Sequence, residues 1–218
     1  MNENPRLMNI AAGVYNLAHY NNALRFRRNN RIRFRGAFLK RARFSIHGRN
    51  NEIIIGAKAR INNCSFTIYG DNCRIIIGGN HTIVSNASFW CQHDGSKIII
   101  GDDFTMEGGH IASTEGCSIT IGDDCMFAND IEIRNGDSHS MLDATTGLRI
   151  NPAADVVIGN HVWLTAHVRV LKGSHIPHSS IVANSALVTG EFETPGVLLA
   201  GIPCRPVRDN VTWDRYLK

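Results

Sequence analysis

Between Ile158 and Val188 an aliphatic residue stands at every sixth position: Ile158, Leu164, Val170, Ile176, Val182 and Val188. Four residues after each of the first five comes another apolar or small one, at Val162, Val168, Ser174, Ser180 and Ala186. A helix would set apolar residues three and four apart, and an ordinary strand would set them two apart. A period of six suits neither. It suits a chain that turns a corner every six residues, with three flat sides and about eighteen residues per coil.

The same key reads most of the chain. Coils are expected to start at Ile32, Ile55, Ile77, Ile100, Ile121, Ile158 and Ile176. Second sides follow at Phe38, Ile61, Ile83, Met106, Phe127, Leu164 and Val182. Third sides follow at Phe44, Thr67, Phe89, Ala112, Ile133, Val170 and Val188. Start-to-start spacings beyond eighteen imply insertions of 5, 4, 5, 3, 19 and 0 residues, all between a third side and the next first side. The short insertions carry Gly, Asn, Asp and Ser, which accept the positive φ of tight corners. Ile-Gly recurs at 55–56, 77–78, 100–101, 121–122 and 158–159, marking one corner in coil after coil. The fold class expected is an all-β parallel β-helix of about seven coils, its strands stacked about 4.8 Å apart.

Residues 1–30 are expected to form a helical cap, residues 31–201 the β-helix, and residues 202–218 a tail covering the last coil. Within the cap, Leu7, Ile10, Ala11, Val14, Leu17 and Ala18 share one helical face, with Pro5 near the start. That face either packs on the first coil or meets another subunit, and a peripheral membrane contact is a further use for it.

Charge is lopsided. No Asp or Glu lies between Glu3 and Glu52, a stretch holding eleven of the 23 Lys and Arg. The run Arg25, Arg27, Arg28, Arg31, Arg33, Arg35, Lys40, Arg41 and Arg43 reads either as a solvated face or as a surface for an anionic glycan or membrane. No apolar run approaches the roughly 18–20 residues that span a bilayer, and the N-terminus shows no secretory pattern. A cytoplasmic protein, at most at the inner face of the membrane, is expected. The six cysteines show no C-x-x-C pairing and read as reduced core or corner residues.

One insertion breaks the rule of short turns: nineteen extra residues within Arg134–Asp155. Long loops on rigid scaffolds are where function concentrates, and this one carries Asp137-Ser138-His139. That motif, Ile158-Gly159-Asn160-His161-Val162-Trp163-Leu164 in the next coil, and Ala200-Gly201-Ile202-Pro203-Cys204-Arg205 near the end resemble the hexapeptide-repeat acyltransferases. Within that superfamily the chain is most similar to bacterial O-acetyltransferases of capsule and lipopolysaccharide sugars, sialic-acid capsule enzymes included. Cys204 stands where the common motif has Ala, and Arg205 keeps the positive charge of its usual Lys.

The resemblance implies a left-handed helix, a winding that general crossover rules would not have suggested. It also implies acetyl-CoA as cosubstrate, no metal, and a homotrimer with sites between subunits. His139 takes the role of general base, since an imidazole of pKa about 6.5 can accept a hydroxyl proton near neutrality. Asp137 and Arg134 are candidates for orienting the imidazole or binding the acceptor. Trp163 aligns with Arg60, His81, Thr105 and Met126 on an outward position, a platform for a sugar ring or a pantetheine arm. Lys172, Arg205, Arg208 and the amides around Ala183 and Ser185 are candidates for the phosphates of the coenzyme.

Other readings are weaker. His161 and His167 fall one hexad apart, on different sides of the triangle, and cannot converge with His139 on a metal within one subunit. Nucleic-acid binding lacks a reading element. Transfer to an amino sugar or a small acceptor, and a non-catalytic glycan-binding β-helix, remain alternatives. Sugar and hydroxyl are not legible in the sequence.

Overall fold

The computed structural model describes residues 5–18 and 29–218. Arg25, Arg27 and Arg28, and the part of the expected cap from 19 to 28, lie outside the described residues. Among those described, 23 short strands follow one helix. The strands form three sheets of seven, nine and seven strands, one for each side of a triangular prism. Every pairing is parallel except the last.

Each side carries a buried column. On the first, Ile55, Ile77, Ile100, Ile121, Ile158 and Ile176 stack in register. On the third, Phe44, Phe66 and Phe89 stack nearly face to face, with centroids 4.9 and 5.1 Å apart. These columns fill the prism, so every coil buries its apolar edge against the coils above and below.

Corners obey the hexad. Positive φ recurs at His161, His167, Gly173, Ser179 and Ser185, every sixth residue. The Ile-Gly glycines do not serve this purpose, because positive φ comes two residues later. They are needed for close approach. A Cβ at Gly101 would lie 2.1 Å from Asp123 Oδ1, an oxygen that accepts the Asp102 amide at 2.7 Å. Asn160 takes the Asp123 amide in the same way at 2.9 Å, and Asp102 that of Gly79 at 2.6 Å. One corner is thus laced by side-chain oxygens that each reach back one coil.

The register differs from the six-residue expectation at five places. Ile32 pairs with Ile53, not Ile55, so the first coil spans 21 residues. Leu39, Val84, Phe66 and Ile111 take the inward positions expected for Phe38, Ile83, Thr67 and Ala112. The cause is a shorter corner: second-to-third steps are five residues in the first four coils and six in the last three. The outward row of Trp163 therefore holds Met126, Thr105, Ile83, Arg60 and Phe38, and His81 is not in it.

The helix α1, Pro5–Ala18, docks on the face opposite to the expected one. Ala12 and Asn16 are buried, whereas Leu7, Ile10, Val14 and Leu17 are 64–84% exposed. Asn16 explains the choice. Its Nδ2 donates to Ala37 O at 3.0 Å, and its Oδ1 accepts from Leu39 N at 2.8 Å, pairing with the open edge of the second sheet as a peptide group would. Tyr15 adds an edge-to-face contact with Phe38.

The tail does more than cover the last coil. Cys204–Arg208 turns back antiparallel on Leu198–Gly201 and closes the far edge of the second sheet. The chain then climbs the prism. Trp213 stacks on His161 at 4.3 Å, and Arg215 donates to Asp124 Oδ1 and Thr105 Oγ1.

Candidate active site

The long excursion leaves the third side at Arg134 and re-enters the first side at Val156. It is a pinned structure. Leu142 and Arg149 form an antiparallel bridge, and Ile150 N donates to Met141 O at 2.9 Å. Asn151, only 2% exposed, sits at its centre. Its Nδ2 donates to Asp137 Oδ2 and to His139 O, both at 2.8 Å, and its Oδ1 accepts Met141 N–H at 2.7 Å. The Arg149 guanidinium grips both oxygens of Glu115 at 2.8 and 2.7 Å, tying the excursion to the coil before it. That grip holds the Glu115 carboxyl below its usual range. At the root, buried Asn135 accepts Thr114 N–H and donates to Ser113 Oγ.

This framework fixes the backbone of His139 on both sides. Its N–H donates to Asp137 O at 2.8 Å, and its carbonyl accepts from Asn151. Its side chain is exposed and makes no hydrogen bond among the described residues. Asp137 is committed elsewhere. Lys172 Nζ lies 2.5 Å from Asp137 Oδ2, and the Lys172 hydrogen bond, followed by that of Asn151, holds this carboxyl low. Asp137 and Lys172 together therefore brace the excursion from the following coil.

Beside the excursion lies a cavity of about 450 Å³, walled by Trp90, His93, His110, Thr114, Arg134 and Ser138. Arg134 Nε donates to Glu132 Oε1 at 2.5 Å, and Arg169 holds the same carboxylate. His110 is biased toward the neutral form by burial and then by the nearby Arg134 charge, and its Nδ1 meets Ser88 Oγ at 2.6 Å. The cavity presents one guanidinium, an indole and several hydroxyl or imidazole groups, a set suited to a polar anionic ring.

The remaining expected residues lie elsewhere. Trp163 is half-buried on the second side, 6.4 Å from Trp213. Ala183 follows the next strand of that sheet, and Arg205 and Arg208 are exposed on its last strand. The amides expected to receive phosphate are already used: Ala183 N–H donates to Leu199 O and Ser185 N–H to Ala166 O. The Ser185 hydroxyl donates to Asn184 Oδ1 at 2.7 Å. Within one chain the residues form two groups on different sides of the prism. Arg134, Asp137, His139 and Lys172 sit at the corner between third and first sides; Trp163, Ala183, Ser185, Arg205 and Arg208 belong to the second side and its corner with the third.

His161 and His167 are each engaged by a carboxylate, Asp124 at 2.6 Å and Asp130 at 2.8 Å. Asn151, Arg149 and Glu115 were not expected from the sequence. The excursion has no hexad to mark its inward residues, and Glu115 lies in a short corner that reads as an ordinary turn.

No protein-family model matches the chain. It is 35% identical over 174 residues to the polysialic acid O-acetyltransferase of Neisseria meningitidis, covering 79% of this chain and 80% of that one. A polysialic acid O-acetyltransferase of Escherichia coli O1:K1 is 32% identical over 111 residues, which is 51% of this chain and 36% of that relative's length. The crystal structure of a polysialic acid O-acetyltransferase superposes with a TM-score of 0.78 at 30% identity, over 87% of this chain and 90% of that one.

Proposed function

The chain belongs to the polysialic acid O-acetyltransferase family, acetyltransferases built on a left-handed parallel β-helix of hexapeptide repeats, and from this we propose that it acetylates a sugar hydroxyl of an anionic capsule polysaccharide. Acetyl-CoA is the donor, and transfer is direct within a ternary complex. The single observation that carries the reading is the pinned excursion, which holds the His139 backbone firmly and leaves its exposed imidazole without a hydrogen-bond partner among the described residues.

In this scheme the His139 imidazole accepts the proton of the acceptor hydroxyl as that oxygen attacks the thioester carbonyl. The tetrahedral adduct collapses, the carbon–sulfur bond breaks, and the proton returns from imidazolium to the departing thiolate. General-base help of this kind contributes roughly 10²–10⁴-fold. No acyl-enzyme is required. Two of the buried thiols give that route little support: burial pushes Cys64 up to about 11 and Cys125 up to about 12, far from thiolate at neutral pH.

The acceptor ring occupies the cavity beside the excursion, with Arg134 facing its carboxylate. The two separated groups are united in a groove between copies of a homotrimer, where Trp163 and Arg205 of the partner subunit meet the coenzyme opposite His139. Lys172, braced on Asp137, contributes to the loop, while Ser185 and Arg208 line the coenzyme end. The reaction takes place in the cytoplasm, where acetyl-CoA is available. Among the described residues no helix is long and apolar enough to cross a membrane.

The test is mass spectrometry of a glycan panel after incubation with protein and acetyl-CoA. Polysialic acid should gain acetyl mass that mild alkali removes. An alkali-stable gain would point to an amide and an amino-sugar acceptor, and equal gains on neutral glycans would remove Arg134 from its role.

A further inference from the structure

An amphipathic helix ordinarily hides its apolar face, and α1 does the reverse. Its body-facing side uses Ala12 and the Asn16 amide. Its outward side carries Leu7, Ile10, Val14 and Leu17, spaced along one line and exposed by 65, 64, 64 and 84%. The helix has a single charged side chain, Arg6.

Basic residues border this comb on both flanks. A cavity on one flank is lined by helix residues together with Arg31, Arg33 and Arg35 of the first strand and its turn. A cavity on the other flank is lined by Leu7 and Ala11 together with Lys58 and Arg60. Glu52 pairs with Arg31 and Arg74, and it is the first acidic residue after Glu3. The surface is therefore aliphatic in the middle and cationic on either side.

We propose that this end of the prism lies on an anionic lipid bilayer, with α1 parallel to the surface and its aliphatic comb among the acyl chains. Helices that rest in a membrane interface have this composition: an apolar strip, basic flanks and too little length or hydrophobicity to span. The flanking cations meet headgroup phosphates, each worth a salt-sensitive attraction near an anionic surface. A free glycan would use the cations and leave the aliphatic comb in water. A second copy packed end to end would need acidic residues opposite the flanks, and residues 29–51 hold none. Because both flanks of α1 are built into the first coils, the rest of the prism would stand away from the membrane. The inference is independent of which sugar is acetylated.

The test uses the full-length protein with vesicles of phosphatidylcholine alone or with about one third phosphatidylglycerol. Co-sedimentation should occur with the anionic vesicles, weaken steeply with salt and be absent with the neutral ones. Ile10→Ser with Val14→Ser should reduce partitioning at least tenfold with unchanged melting and unchanged acetyl transfer to soluble acceptor, and Arg33→Ser with Arg35→Ser should reduce partitioning several-fold with unchanged melting. Two results would overturn the proposal: no binding of the wild type to anionic vesicles, or equal binding by the Ile10/Val14 variant. A change of oligomeric state in that variant, with lipid binding intact, would assign the comb to a second copy instead.

Discussion

Replacing Asn151 with Ala would test whether the excursion is held by one buried amide. The side chain is almost fully buried and makes two donated bonds and one accepted bond near 2.7–2.8 Å, besides a longer one from Arg149 at 3.2 Å. Alanine leaves the Met141 N–H and the His139 carbonyl without that partner. At about 1 kcal/mol for each net bond, with the exposed Asp137 bond discounted, the loss is about 2–3 kcal/mol. This is a local cost, because Asn151 belongs to no coil ladder. It amounts to roughly 30- to 150-fold in the opening equilibrium of residues 137–151. Native-state hydrogen exchange is the assay. The amides of Met141 and Ile150 should lose protection by that factor, while the buried columns and the melting temperature stay near wild type. Asn151→Asp, which can accept but not donate and sets a carboxylate beside Asp137, should open the loop at least as much. Turnover should fall in both variants with little change in acetyl-CoA binding. Unchanged protection at Met141 in the alanine variant would refute the reasoning, because His139 would then be held by something other than Asn151.

Three further outcomes follow from the same geometry. His139→Ala should lower kcat roughly 10²–10⁴-fold while leaving acetyl-CoA affinity within about threefold, read by thiol release and calorimetry; substantial remaining turnover would remove the imidazole from its role. Asp137 has a depressed folded pKa, so its contribution is complete above the unfolded value of about 3.9 and is lost as pH falls through the lower folded value. Exchange protection of the excursion should therefore be flat from pH 8 to about 5 and fall only below about pH 4, and Asp137→Asn should shrink that acid step, leaving the part carried by the Glu115–Arg149 pair. Gly109 has φ +151°, and a Cβ there would come within 2.1 Å of Ile131 O; Gly109→Ala should destabilise the chain by about 3 kcal/mol, seen as a lowered denaturation midpoint.

The hexad was legible because an aliphatic column along a three-sided core tolerates little else. Its phase was not always legible. At Phe38-Leu39 and Ile83-Val84 two adjacent residues are both apolar, and only strand alternation in three dimensions decides which points inward. Five-residue corners compound the ambiguity, since a repeat counted in sixes drifts by one at each. The helix misled for a different reason. Its apolar face is the natural candidate for burial, but a single Asn that satisfies an open sheet edge decided the docking instead. His139 stood out because it interrupts a regular pattern. Asn151, which holds it, has no pattern to interrupt, and its importance appears only when its three partners converge from 10 to 14 residues away.

A stack of parallel coils has two ends at which the next coil could always be another molecule's. At one end of the second sheet the Asn16 amide occupies the donor and acceptor that an incoming strand would need; at the other, Cys204–Arg208 folds back against the direction of stacking. Unprotected strand edges recruit other chains. The two terminal devices thus act as stoppers on growth, and a chain stripped of either would be expected to add copies of itself end to end, lengthening into fibres under conditions where the intact prism stays dispersed.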